Sequence, residues 1–269
     1  MGFASLGSGS RGNGTLVALG GAKQTPGTVF LVDCGFTLKQ TEQRLAGLGL
    51  SGGDLDAIFV THEHADHISG VAALAHKYRV PVYASYGTAR SAAKRGKSGQ
   101  LIGDGITFRT FDGDVPFTVH DVVVNPVRVP HDAKEPTQFV FDDGKERVGV
   151  LSDLGCVTQH VVTQFSGLSH LLLEANHDVE MLQAGSYPPA LKRRVAASYG
   201  HLSNQQALTL LQEVQHAALH VVIGHVSEQN NCPRILDQAF AQAAESLASL
   251  RFATQQGGFD WVGRRPMER

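Results

Sequence analysis

The chain has 269 residues, 42% of them hydrophobic and 18% charged, with a formal net charge of −2. That mix suits a soluble folded protein with ample apolar material for a core, and it excludes a disordered chain. A net charge so close to zero also excludes global attraction to nucleic acid or anionic membrane, so a polyanion has to be held by a local patch or by metal.

In chain order, TLVAL (15–19) and TVFLVDCG (28–35) read as strands, rich in β-branched and apolar residues. The pattern at 37–48 is helical, and DAIFVTH (56–62) is a short buried strand ending at a histidine. Residues 68–79 read as helix and 80–85 as strand. Several short β-like runs follow between 105 and 151, with DDGK (142–145) as a hairpin turn. A helix near 157–165, strand 170–176, helix 203–216, strand 219–225 and helix 233–247 then alternate. LRFAT (249–253) and FDWVG (259–263) read as a final β-pair. Short connections make 1–269 one domain. The expected architecture is an α/β sandwich, sheets inside and helices on both outer faces.

Three cysteines (Cys34, Cys156 and Cys232) stand far apart without C-x-x-C spacing, which fits a reducing cytoplasm and disfavours a disulfide framework or a cysteine-built zinc site. The opening MGFASLGSGS shows no apolar signal segment, and Leu6 breaks the myristoylation pattern. No apolar run approaches the roughly 20 residues that span a bilayer. The unusual counts are 30 glycines and 13 histidines.

THEHADH (61–67) packs three histidines, a glutamate and an aspartate into a strand-to-helix turn. His62 and His64 can bind one ion while Asp66 and His67 reach a neighbouring one, and imidazole with carboxylate suits Zn²⁺, Mn²⁺ or Fe. Glu63 points the other way in an alternating arrangement and reads as a helix-start acid or a solvated one. His131 (RVPHDA), Asp153 (VGVLSDLG) and His225 (HVVIGHVS) repeat one local grammar: an apolar strand, a metal-competent residue, then Gly, Ser or Ala nearby. Each has an ordinary structural use, as turn, cap or core residue, but their shared place at strand ends joins them to the cluster. His76, His120, His160, His170, His216 and His220 lack that grammar and read as ordinary surface or core residues.

These residues resemble, in order, the ligand series of the metallo-β-lactamase superfamily: His62, His64, Asp66, His67, His131, Asp153 and His225. The resemblance runs over nearly the whole chain. It implies an αβ/βα fold with the site at one edge of the sheets, two divalent metal ions bridged by Asp153, and a metal-bridging hydroxide as nucleophile. LVDCGF resembles the family's buried acidic strand end, which makes Asp33 a support for the ligand turn. Asp66 followed by His67, with no cysteine in a ligand position, resembles the phosphodiester hydrolases rather than the lactam-cleaving members. GHLSN (200–204) resembles the turn of nucleases in which a histidine, here His201, contacts the scissile phosphate. Ser203 and Asn204 open the following helix, whose free N–H groups favour phosphate.

Only 47 residues separate Asp153 from His201, too few for a large inserted cap domain. SLGSGSRGN (5–13), THEHADH, VPHDA, SDLG, LEANHD (173–178), GHLSN and HVSEQNN together look closest to the YycJ/WalJ-like group of small bacterial proteins, regarded as exonuclease-like. SLGSGSRGN follows no predicted strand; its backbone can cradle a phosphate, with Ser8, Ser10, Arg11 and Asn13 as contacts. His177 and Asp178 can serve as support, as substrate rim or as a helix N-cap, and the first two are favoured. Basic runs at 90–97 and 192–194 are places to track a nucleic-acid backbone, although such runs are commonly solvated faces. The expectation is a cytoplasmic dinuclear phosphodiesterase, an exonuclease on single-stranded or end-exposed DNA or RNA. A small-molecule hydrolase of cyclic phosphodiesters, lactones or thioesters is the alternative, and a non-catalytic regulatory protein with a structural metal the next.

Overall fold

The computed structural model describes residues 1–19, 27–94 and 106–266. Two seven-stranded sheets face each other. The first follows the chain through β1 (Gly2–Gly7), β2 (Gly14–Leu19), β3 (Thr28–Val32), β4 (Ala57–Val60), β5 (Val82–Ser85) and β6 (Phe108–Phe111). The second comprises β7 (Phe117–Val119), β8 (Val122–Arg128), β9 (Thr137–Asp142), β10 (Arg147–Leu151), β11 (His170–Glu174), β12 (His220–Gly224) and β13 (Ser249–Phe252). The last strand, β14 (Phe259–Gly263), returns to the first sheet beside β1. The helices are α1 (Leu38–Gly47), α2 (Ala65–Ile68), α3 (Val71–Tyr78), α4 (Tyr86–Lys94), α5 (Gln159–Gln164), α6 (Val179–Ala184), α7 (Pro189–Val195), α8 (Asn204–Val214) and α9 (Pro233–Ala244).

The period of two along a strand divides the core into layers. Phe30, Val32 and Phe59 of the first sheet meet Phe139, Phe141, Val150, Leu172 and Val222 of the second. Leu31, Ile58 and Val60 point outward onto Leu45 of α1 and Leu74 of α3. Leu171, Leu173 and Ile223 point outward from the second sheet onto Leu210 and Leu211 of α8 and Phe240 of α9. Phe59 anchors the middle layer, its ring 5.0–5.4 Å from those of Phe30, Tyr83, Phe139 and Phe141. The layering matches the expected sandwich.

Strands β3 to β6 are mutually parallel, as are β10 to β13, so their carboxyl ends gather along one edge. β1 and β8 join that edge, each through two antiparallel steps. Open parallel sheets bind ligands outside their carboxyl ends.

Two sequence expectations fail here. LRFAT and FDWVG do not form a pair of strands: β13 lies parallel to β12 and β14 antiparallel to β1. A turn closed by a Thr254–Gly258 bridge carries the chain from one sheet to the other, and alternation alone carries no sign of that crossing. SLGSGSRGN does follow a strand, because GFASLG is β1, held between β2 and β14. With no β-branched residue its conformation is set by its neighbours rather than by propensity.

Candidate metal centre and its pocket

Every residue of the ligand series reaches the carboxyl edge. THEHADH leaves β4 and enters α2, and the turn beneath it is fastened by Asp33, which accepts hydrogen bonds from the Thr61 N–H and hydroxyl, both at 2.8 Å. Asp33 sits at φ +62°, in the left-handed region that aspartate enters more readily than most non-glycine residues. The backbone then passes so close to the turn that a Cβ on Gly35 would lie 1.8 Å from the Asp66 carbonyl oxygen.

The imidazoles are oriented from behind. His67 Nδ1–H donates to Asp33 Oδ2 at 2.7 Å, and His131 Nδ1–H to the Gly200 carbonyl at 2.9 Å. His62 Nδ1 lies 2.9 Å from the Thr61 hydroxyl, and His225 Nδ1–H donates to Glu174 Oε1 at 3.0 Å. These bonds aim the Nε2 atoms of the four rings inward, as buried partners of metal-ligating histidines do. His64 presents Nδ1 instead, 3.0 Å from His62 Nε2 and 3.4 Å from His131 Nε2.

The donors converge in overlapping groups: His62, His64 and His131; Asp66, His67 and His225; His62, His67 and Asp153. Asp153 lies between the first two groups, its oxygens 3.2 Å from His67 Nε2 and 3.8 Å from His131 Nε2. Asp153 Oδ2 and His225 Nε2 are fully buried and make no hydrogen bond. Orphaned buried atoms of that kind, among ring nitrogens that face one another, fit a donor set built for cations.

The charges agree. Burial lifts the Asp33 carboxyl despite its hydrogen bonds. Burial works against a charged His67, but Asp153, Asp66 and Asp33 outweigh it and hold the ring well above its ordinary range. His225 is raised to about 10 in the same way, by Asp153, Asp66 and Glu174 against burial. Burial also opposes ionisation of Asp153, yet the surrounding histidines hold it well below the carboxylate range. Buried carboxylates thus favour positive charge on the rings beside them, while burial and the neighbouring imidazoles push His62 and His64 down, keeping those rings neutral and able to donate.

Glu174, the last residue of β11, has no place in the sequence expectation. It is fully buried; Oε1 accepts from His201 Nδ1–H at 2.6 Å as well as from His225, while Oε2 takes the Leu154 and Leu202 N–H groups. One carboxylate therefore orients both His225 and His201. His201, whose ring burial would depress, is held above its ordinary range chiefly by Glu174.

A pocket of about 330 Å³ opens over the centre, lined by Asp66, Asp153, His201 and His225 on its floor side and by Ser10, Asp132 and Arg194 among its other walls. Ser10 of the glycine-rich loop thus faces the pocket. Ser8 and Asn13 do not: the Ser8 hydroxyl accepts the His225 N–H at 2.7 Å, and Asn13 Nδ2 lies 3.3 Å from Asp66 Oδ2 and 3.0 Å from His67 Nε2. The loop has folded onto the donors instead of presenting these two side chains to a phosphate. Ser203 and Asn204 are also buried away from the pocket. Ser203 caps α8 in a capping box with Gln206, and Asn204 is locked to Asn231 by two side-chain bonds. Their expected contact with phosphate does not fit, because their polar atoms are already spent inside the fold.

His177 is buried, close enough to Glu174 and His201 to feel their charges, and Asp178 is the N-cap of α6. Glu63 is neither solvated nor a cap: it is buried and accepts the Lys134 N–H at 3.1 Å, tying the ligand turn to the loop after His131. The basic run 90–97 lies partly outside the described residues.

Residues 28–225 match the family model described as the beta-lactamase superfamily domain. The chain is 34% identical to exodeoxyribonuclease YycJ of Bacillus anthracis over 247 residues, covering 90% of this chain and 89% of that one. It is 33% identical to exodeoxyribonuclease WalJ of Streptococcus pneumoniae over 230 residues, 85% and 82% of the two chains. The crystal structure of the metallo-beta-lactamase fold protein YhfI from Bacillus subtilis superposes with a TM-score of 0.68 at 16% identity, over 97% of this chain and 98% of that one. With its paired sheets and its clustered strand-end donors, this chain belongs to the beta-lactamase superfamily, in the group that contains YycJ and WalJ.

Proposed function

We propose that the chain is a metal-dependent hydrolase of phosphodiesters, an exonuclease acting on single-stranded or end-exposed nucleic acid. The observation that carries the reading is the His201–Glu174 pair, 2.6 Å apart, beside the converging donors of one pocket. Similarity to two exodeoxyribonucleases over most of both chains supports DNA as the polymer.

His62, His64 and His131 would hold one divalent ion, Asp66, His67 and His225 the other, and Asp153 would serve both. Zn²⁺ or Mn²⁺ fits these donors, with Fe a third choice, and such a pair supplies an acidified water and charge to offset that of the transition state. The protein's own part is orientation and proton handling. Glu174 fixes the His201 ring through Nδ1, leaving Nε2 to face the pocket and hold a proton for the departing oxygen or for a phosphate oxygen. Asn13 and Ser8 keep Asp66, His67 and His225 in place from the loop above.

The test is purification with Zn²⁺ or Mn²⁺, metal counting per chain, and assay on end-labelled single- and double-stranded DNA and RNA beside a cyclic phosphodiester and a thioester. Shortening of linear strands from their ends, lost on chelation, is expected; turnover of the thioester alone would sink the reading. His201→Ala should keep both metals and lose about 10²–10⁴-fold in turnover, whereas full activity would remove His201 from the chemistry.

A further inference from the structure

Among the described residues lining the pocket, Arg194 is the one Lys or Arg. Helix α7 presents Leu191, Arg194 and Val195 there, the i, i+3, i+4 spacing of one helix face. The neighbouring cations turn elsewhere: Lys192 Nζ donates to the Gln183 carbonyl at 2.6 Å, and Arg193 is exposed outside the lining. Of the basic run 192–194, only Arg194 faces the reacting centre.

Its Nε–H donates to Asp132 Oδ2, and its terminal amino groups make no bond to a described residue. Asp132 follows His131 directly. Its Oδ1 lies 3.5 Å from His131 Nε2 and 3.7 Å from His64 Nε2, at the lip of the donor cluster. A lone carboxylate there would repel an anionic substrate. Paired with Arg194 it is neutralised, and it holds the guanidinium by one edge while the other edge stays free. That free edge carries N–H groups spaced for two phosphate oxygens.

We propose that Arg194 is a substrate-binding residue that grips the non-bridging oxygens of the scissile phosphate, and that Asp132 is the positioning residue that holds it there. The proposal rests on the phosphodiesterase reading and adds a requirement: the ester must be anionic, which a lactone or thioester is not at its reacting centre.

The experiment compares wild type, Arg194→Ala, Arg194→Lys, Arg193→Ala and Asp132→Asn, each with its metal content measured. The substrates are thymidine 5′-(4-nitrophenyl) phosphate, which has one phosphodiester, and an end-labelled single-stranded oligodeoxynucleotide. Arg194→Ala should raise KM about 10-fold or more on both, with a smaller change in kcat. Arg194→Lys should recover part of the loss, because a point charge lacks the fork. Arg193→Ala removes the same charge one residue away and should stay within about 2-fold. Asp132→Asn should raise KM to an intermediate value, and a wild-type KM there overturns its positioning role. Equal KM for Arg194→Ala and Arg193→Ala overturns the grip, as does an effect confined to the oligonucleotide, which would mean a neighbouring phosphate. A wild type that cleaves both substrates while Arg194→Ala matches it defeats this proposal alone. A wild type that hydrolyses a thioester but neither phosphodiester defeats the functional reading and this proposal together.

Discussion

Strands β11 and β12 lie side by side in the second sheet and carry ionisable residues at both ends. At their amino ends His170 and His220 pair in register and stack with ring centroids 5.1 Å apart. At their carboxyl ends stand Glu174 and, one residue past the strand, His225. His225 meets Glu174, Asp153 and Asp66, and its ring is raised to about 10 against the pull of burial. His170 is as well buried, but both ring nitrogens lack a hydrogen bond, and burial with the neighbouring His220 pushes it down to about 4. Burial and a neighbouring imidazole are common to both ends, since the His225 ring lies 5.1 Å from that of His201. The carboxylates converging from other strand ends are what make one of them a site.

That contrast breaks most sharply at Asp153. Asp153→Asn makes the carboxyl end more like the amino end, and turnover should fall on the order of 10³-fold or more with loss of bound metal. Metal analysis of the purified variant beside its kcat checks both halves, and a fully loaded, active Asp153→Asn protein would refute the assignment. Glu174→Gln is the next largest. An amide nitrogen cannot accept, so either the ring N–H pair or the Leu154 and Leu202 N–H groups lose their partner. A loss of about 10–100-fold in activity or metal affinity is expected. Unchanged kinetics would mean that His201 and His225 hold their orientations without it.

How legible each part is in the sequence follows from the same contrast. THEHADH is dense enough to be seen directly, and His131, Asp153 and His225 are recognisable because an apolar strand delivers each one. Glu174 obeys that grammar too, in HLLLE followed by Ala175, but His177 and Asp178 just beyond carry the more conspicuous metal-competent pattern. A strand-end glutamate weighed on equal terms with a strand-end aspartate reveals it. The expectation for Ser8, Asn13, Ser203 and Asn204 rests on what glycine-rich loops and helix starts commonly bind. Local pattern cannot show that buried neighbours already use their polar atoms. Arg194 is the opposite case: a charge run does not disclose which of its members turns inward, and only the placement of α7 against the pocket does. β1 is hidden because its Gly, Ala and Ser residues carry no strand signal, although the sheet order requires a strand there.

The smallest effect belongs to the amino end, where no change in turnover is expected. His170 has an unfolded value near 6.5 and a folded value of about 4. The folded protein therefore disfavours a proton that the unfolded chain accepts, so stability is complete above about pH 6.5 and declines as pH falls toward 4. The groups facing His170 are His220, Glu146 and the amino terminus, and only Glu146 favours the proton. A tenfold change in proton affinity is worth about 1.4 kcal/mol, and solvent screening at a strand end brings the loss to about 1–2 kcal/mol. His170→Leu should flatten the decline in Tm between pH 6.5 and 4.5 while leaving kcat at neutral pH unchanged. Acid loss from the carboxylates of the opposite edge occurs equally in both proteins, so the difference between the two Tm curves isolates His170. Superimposable curves would show that its buried ring is not what acid attacks. A fall in kcat would show that the two ends of β11 are coupled, contrary to the separation that the carboxylates define.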